Sequence, residues 1–330
     1  MSGMAQVETA RGPVDAGELG KVLMHEHLFV LSPEFMANHP GHDGFREDEH
    51  VADAIRRLDE LKAAGIDTIV DPTVIGLGRY IPRVRRVAAE TELRIIVATG
   101  LYTYNDVPHY LHHRGPGLLF DDGVDPLVGL FTGDIVDGIA DTGVKAALLK
   151  CATDEPGVTP GVERVLRAVA KAHRETGAPI MTHTHAPTRR GLEQQAVFET
   201  EGVDLSRVLI GHSGDSTDLD YLTGLADKGS LLGMDRFGLD PLLPFEDRVA
   251  TVAAMCERGY AGSMVLSHDA SCFIDWFEQD KIAAMAPNWH FLHITRDVLP
   301  ALRERGVSER DITTMLVDNP RRFFEHGGAY

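Results

Sequence analysis

Cysteine is scarce in this sequence: Cys151, Cys256 and Cys272 are the three in 330 residues. That number cannot build a disulfide framework for a chain this long, and it fits a reducing compartment, so a cytoplasmic location is expected. Long hydrophobic runs are missing as well. Nowhere do about 18 apolar residues follow one another, and the opening MSGMAQVETARGPVD lacks a basic segment leading into an apolar one. Neither a membrane span nor a secretory leader is expected. Positive charge is in deficit, with 32 Lys and Arg against 50 Asp and Glu and a formal net charge of -18. A surface of that sign repels nucleic-acid phosphates and anionic lipid, which leaves small molecules or other proteins as partners.

What the chain does have is a series of short apolar runs rich in Val, Ile and Leu. They are KVLMHEHLFV from 21, IDTIVDPT from 66, RIIVATG from 94, KAALLKCA from 145, PIMTHTHA from 179, RVLIGHSG from 207, LLGMDRFG from 231 and MVLSHDA from 264. Each is too continuously apolar for a strand with one wet face, and reads as a parallel strand covered on both sides. Helical patterns lie between them. Val162, Val165, Leu166 and Val169 recur at helical spacing behind Thr159 as an N-cap and Pro160 in the first turn, and Val51, Ile55 and Leu58 repeat the spacing before Gly65.

Eight strands alternating with helices predict an α/β fold, a single (β/α)8 TIM barrel spanning 1–330, with residues 1–20 as a short lead-in. An open doubly wound sheet is the alternative, but the first apolar run is not followed by a glycine-rich phosphate fingerprint. No internal repeat, low-complexity tract or linker divides the chain.

In such a barrel, chemistry sits at the C-terminal ends of the strands. His25 and His27, two apart, point to one face of the first strand. Lys150, His183, His185, His212 and Asp269 close later strands. A lone strand histidine is commonly a hydrogen-bonded core residue, and Lys150 could snorkel from the barrel mouth. Taken together, these groups would crowd ionisable side chains into a confined space without partners, and a metal supplies the partner. Imidazole and carboxylate suit Zn, Mn, Fe or Co ions. An ammonium cannot ligate, but CO2 can carboxylate a neutral lysine amine, and the two carbamate oxygens could bridge two cations. His39, His42, His50, His109, His112, His113, His173, His290 and His293 fall in loops or helices and are expected at the surface.

With HEH at 25–27, IVDPTVIGLGR from 69, ATGLYTYND from 98, LLKCATDEPG from 148, GLEQQ from 191, IGHSGD from 210, GMDRFGLD from 233 and LSHDA from 266, the chain resembles the amidohydrolase superfamily. Within it, the likeness is to the phosphotriesterase-like lactonases. That resemblance implies a binuclear site: His25, His27 and Asp269 on the more buried metal, His183 and His212 on the more exposed one. N6-carboxylated Lys150 and a hydroxide would bridge the two divalent metal ions, zinc in the first place, with Co, Fe or Mn as alternatives.

His185 is not a ligand in this pattern, and Glu26 is expected to point away from the interior in a structural role. Tyr102 and Arg236 match residues at the substrate, and Asp269 would also shuttle the proton. The implied activity is opening of lactones, N-acyl-homoserine lactones above all as in quorum quenching, with slower hydrolysis of organophosphate triesters. A homodimer is implied too.

After the eighth strand, a long segment carries Cys272, Phe273, Trp276, Phe277, Ile282, Met285 and Trp289. It reads as an apolar lid over an acyl chain, with Cys272, Phe273, Trp276 and Trp289 touching substrate. Similar lactonases often carry two adjacent cysteines where this chain has Ser271 and Cys272, so the balance between lactone and triester is open. The rival functions are a primary aryl phosphotriesterase, a one-metal amidohydrolase acting on cyclic amides or bases, and a barrel that binds without catalysis.

Overall fold

The computed structural model describes residues 5–42, 44–325 and 328–330. The chain opens with a hairpin, β1 (Gln6–Thr9) antiparallel to β2 (Gly12–Asp15), and then enters the barrel. The barrel strands are β3 (Val22–Leu23), continued after a break by β4 (His27–Val30), then β5 (Thr68–Asp71), β6 (Arg94–Gly100) and β7 (Leu148–Ala152). They continue with β8 (Ile180–His183), β9 (Val208–Ile210), β10 (Leu231–Met234) and β11 (Met264–Leu266). One further strand, β12 (Ser271–Ile274), follows. Strands β3 and β5 to β11 form one eight-stranded sheet in chain order with parallel neighbours, and β12 pairs in parallel with β4, Ser271 opposite His27. This last pair spans the seam between the first and eighth strands, giving the nearly closed α/β barrel that the strand pattern predicts.

Side-chain alternation explains why both faces of the sheet are apolar. Leu148, Met181, Leu209, Leu231 and Val265 belong to one core cluster, inside the barrel, while their neighbours Leu149, Ile180, Ile210, Leu232 and Leu266 join the other, against the helices. The period of two places Lys150 on the inner face with Leu148. The helix Pro160–Thr176 forms as its spacing predicts. Thr159 accepts from the Val162 amide, Val162, Val165, Leu166 and Val169 are buried, and Gly177 ends the helix in the left-handed region.

Three expectations need correction. Residues 21–30 are not one strand: the ladder breaks over Met24, His25 and Glu26. Glu26, fully buried, accepts at its carboxylate from Ser267 Oγ, the His268 amide, His268 Nδ1 and the Ala270 amide at 2.6–3.1 Å. These bonds tie the first strand to the eighth across the seam, and the backbone leaves regular pairing to make them. The lead-in is also more than a leader, because Val7, Ala16 and Leu19 pack into the inner core cluster. Finally, His173 and His293 are buried rather than exposed. His173 lies on the buried face of its helix, bonded to the Ala178 carbonyl and the Tyr330 hydroxyl, both at 2.7 Å. His293 packs beside Phe245 and bonds Asp297 at 2.8 Å.

No helix among the described residues is long and apolar enough to cross a membrane.

Glu26→Ala strands at least three buried donors with no acceptor. It should lower the unfolding free energy of the chelator-treated protein by about 3 kcal/mol, read from urea denaturation; a change below about 0.5 kcal/mol would remove the seam role.

Candidate active site

The inward-facing residues of five strand ends meet at the barrel mouth. Asp269 Oδ1 lies 3.3 Å from His25 Nε2 and 3.1 Å from His27 Nε2, and Asp269 Oδ2 lies 3.8 Å from His212 Nε2. His212 Nε2 is 2.8 Å from His183 Nδ1, and Lys150 Nζ is 3.3 Å from His25 Nε2. His25, His27 and Asp269 form one group that could hold a metal ion, and His25, His212 and Asp235 form another. His212 and Asp269 have φ of 58° and 55°, a region that non-glycine residues seldom occupy, and it turns both side chains inward just past the ends of β9 and β11.

What aims each imidazole is a partner on its far nitrogen. Asp235, fully buried, accepts from His25 Nδ1 at 2.9 Å through one oxygen, and from the His212 amide at 2.8 Å and His212 Nδ1 at 2.9 Å through the other. Asp154 accepts from His183 Nε2 at 2.7 Å. His27 Nδ1 meets Thr73 Oγ1 at 2.7 Å, and Thr73 bonds Asp71 in turn. Space for Asp235 comes from glycine. A Cβ on Gly233 would stand 2.3 Å from its carboxylate, and one on Gly211 would stand 2.1 Å from the Thr182 carbonyl. Sequence reasoning missed Asp235, Asp154 and Asp71. All three lie in stretches that carry the resemblance, GMDR, CATDEPG and IVDPT, yet nothing in residue type or spacing assigned them to a histidine.

Burial sets the electrostatics. Burial and Lys150 hold His25 low against the pull of Asp269 and Asp235. Burial brings His183 to about 4, Asp154 notwithstanding, and takes His212 well below its ordinary value. Burial would lower His27, but the bond to Asp269 and the nearby Asp71 carboxylate take it the other way, to about 9. Burial brings Lys150 to about 8, toward the neutral amine. Burial would raise Asp269, but His25, His212, His27 and Arg236 together hold it well below the carboxylate range. Arg236 reaches Asp269 Oδ2 at 2.9 Å and Asp215 Oδ2 at 3.0 Å, and Asp215 also holds the buried Arg248 at 2.7 Å.

These groups floor a cavity of about 440 Å³. Tyr102, Tyr104, Arg236, Ser271, Trp276 and Trp289 line it, and so do Leu77, Leu239, Leu242, Ile274, Phe277, Ile282 and Met285. Cys272 and Phe273, expected at the substrate, do not line it. β12 continues the barrel wall, so Cys272 is buried in the outer core and Phe273 packs its ring 5.2 Å from Phe45 and 4.5 Å from His50. His185 stands outside the cluster, bonded to Thr188.

A family model described as the phosphotriesterase family matches residues 5–324. The phosphotriesterase homology protein of Mycobacterium tuberculosis strain H37Rv is 62% identical over 327 residues, 99% of this chain and 100% of that protein. The aryldialkylphosphatase of Saccharolobus solfataricus is 40% identical over 313 residues, covering 94% of this chain and 96% of its own. The solved structure of the phosphotriesterase from Mycobacterium tuberculosis superposes with a TM-score of 0.97 at 62% identity, over 98% of this chain and 100% of that one.

Asp235→Asn keeps the shape but cannot accept from both histidines as a carboxylate does. It should weaken divalent-metal retention by about 10- to 100-fold in competition with a chelator, and unchanged retention would refute the anchoring role. Acidity offers a second check. His183, at about 4 when folded against 6.5 unfolded, contributes stability that is present above pH 6.5 and is lost as pH falls toward 4. His27, at about 9, contributes stability present below 6.5 and lost as pH rises through 9. The urea midpoint of the metal-free protein should therefore fall as pH drops from 6.5 toward 4 and as it rises from 6.5 toward 8, where Lys150, at about 8 when folded against 10.5 unfolded, begins to act in the opposite sense.

Proposed function

Because the chain belongs to the phosphotriesterase family, we propose that it is a metal-dependent hydrolase that opens lactones, N-acyl-homoserine lactones in particular, and hydrolyses organophosphate triesters more slowly. The observation that carries this reading is the cavity itself, a polar floor under walls of Leu77, Leu239, Leu242, Ile274, Trp276 and Ile282. An acyl chain matches such walls, and a small polar ring matches the floor.

The residues fit two divalent metals. His183 donates to Asp154 and His212 to Asp235, so two imidazole lone pairs face each other at 2.8 Å, an arrangement that a cation between them would relieve. His25, His27 and Asp269 would hold one ion and His183 and His212 the other, with zinc, Co, Fe or Mn suited to these donors. Lys150, buried without a carboxylate of the described residues hydrogen-bonded to its ammonium, would be the N6-carboxylated bridge. When bound, the ions would supply a hydroxide at neutral pH and draw charge from the ester carbonyl.

The chain's own groups do the rest. Asp269, kept ionised, takes the proton released as the nucleophile attacks and delivers it to the leaving alkoxide. Arg236 holds Asp269 in place from the far side. Tyr102, whose acidity burial suppresses, stays a donor at any working pH and can bond the carbonyl oxygen as it gains charge. The segment with Trp276 and Trp289 closes over the acyl chain and keeps bulk water from the reacting ester. Trp289 is anchored by its indole N–H on the His268 carbonyl at 2.9 Å.

The reading includes one catalytic domain and a homodimer. Exposed Tyr110, Leu119, Phe120 and Val124 in the loop after β6 support the second, being apolar surface in search of cover. A primary aryl phosphotriesterase is the second reading, favoured by the name of the Saccharolobus solfataricus relative.

The deciding measurement is kcat/KM of the metal-loaded protein on an acyl-homoserine lactone series beside one aryl dialkyl phosphotriester. Lactones should lead by about tenfold or more, roughly 1.4 kcal/mol in the transition state. A lead for the triester would leave the metal site intact and transfer the assignment to the second reading.

A further inference from the structure

Tyr104 has no part in the steps above, yet it lines the same cavity and its hydroxyl is hydrogen-bonded to the hydroxyl of Tyr102. The two rings lie 5.1 Å apart, and the Tyr104 ring stands 5.2 Å from that of His183. A phenol has one proton to give. If Tyr102 gives its proton to Tyr104, Tyr102 has no proton left for the reacting oxygen. If Tyr104 gives its proton to Tyr102, the Tyr102 O–H is free to turn into the cavity and becomes a stronger donor, because it is itself accepting.

The surroundings of the pair favour the second arrangement. The Asp154 carboxylate, the anion on the Tyr104 side, already accepts from His183 Nε2 at 2.7 Å through one oxygen and from the Glu155 amide at 2.6 Å through the other. The other acceptor near Tyr102 is His183 Nδ1 at 3.3 Å, which faces His212 at 2.8 Å. The Tyr104 proton is therefore best placed on Tyr102, and the Tyr102 proton is left for the substrate.

We propose that Tyr104 is a positioning residue, whose O–H orients and polarises the O–H of Tyr102 toward the oxygen that gains charge during hydrolysis. This rests on the reading of Tyr102 as a substrate-facing donor. The bond to Tyr102 strengthens as charge develops, so the effect belongs to turnover rather than to binding.

Tyr104→Phe tests it, since the ring that packs on Tyr102 and His183 remains and only the hydroxyl is removed. The expected result is a kcat lowered roughly tenfold, with KM and bound metal unchanged. In a Tyr102→Phe background the same substitution should cost nothing more, because its only route to the substrate is gone. An unchanged kcat, an equal loss in both backgrounds, or a loss that tracks lost metal would each overturn the proposal.

Running the cycle on an acyl-homoserine lactone and on an aryl phosphotriester separates it from the lactonase reading. Wild type active on the triester alone ends that reading while the cycle is still read on the triester, and wild type active on neither substrate overturns both.

Discussion

A single buried carboxylate, Asp235, organises the mouth of this barrel. It accepts from the side chains of His25 and His212, which come from strands far apart in the chain, and from the His212 backbone. Each of the two ring bonds puts the proton on Nδ1 and so turns the lone pair of Nε2 toward the other donors. Without an anion at that point, two imidazoles in a water-poor space could adopt either tautomer and either ring orientation. The room it needs is made by Gly211 and Gly233 on neighbouring strands, where any side chain would collide with a backbone carbonyl or with the carboxylate itself.

The same device recurs around the site. Asp154 orients His183, Asp71 acts through Thr73 on His27, and Asp215 holds Arg236, which in turn holds Asp269. The groups that face substrate are therefore fixed by a ring of carboxylates that do not. Holding these acids in or beside the core is tolerable because each is bonded to a donor that it steers. Glu26 does the equivalent for the barrel wall, gathering four donors from the eighth strand and its loop so that the seam holds beside the reacting groups.

Much of the site was legible beforehand because chemistry restricts residue type. Two histidines two apart on an apolar run, and a lysine, histidines and an aspartate at later strand ends, are costly in a core unless they converge on something. The orienting acids were not legible. Aspartates abound in a chain with 50 acidic residues, and which of them faces a histidine depends on strand register and on left-handed turns such as that at His212. The lid was half legible. Trp276 and Trp289 reach the cavity, but Cys272 and Phe273 lie in a strand that extends the barrel wall, and an apolar run looks the same whether it faces a ligand or a helix.

By itself the sequence determined the fold class, the positions of the strands and the chemical identity of the groups at their ends, because periodicity and residue type are local properties of the chain. Tertiary structure alone decided that the first strand breaks before His27 and that Asp235 serves two histidines at once. These are distances between segments whose separation in space is set by barrel closure, and no local pattern encodes them.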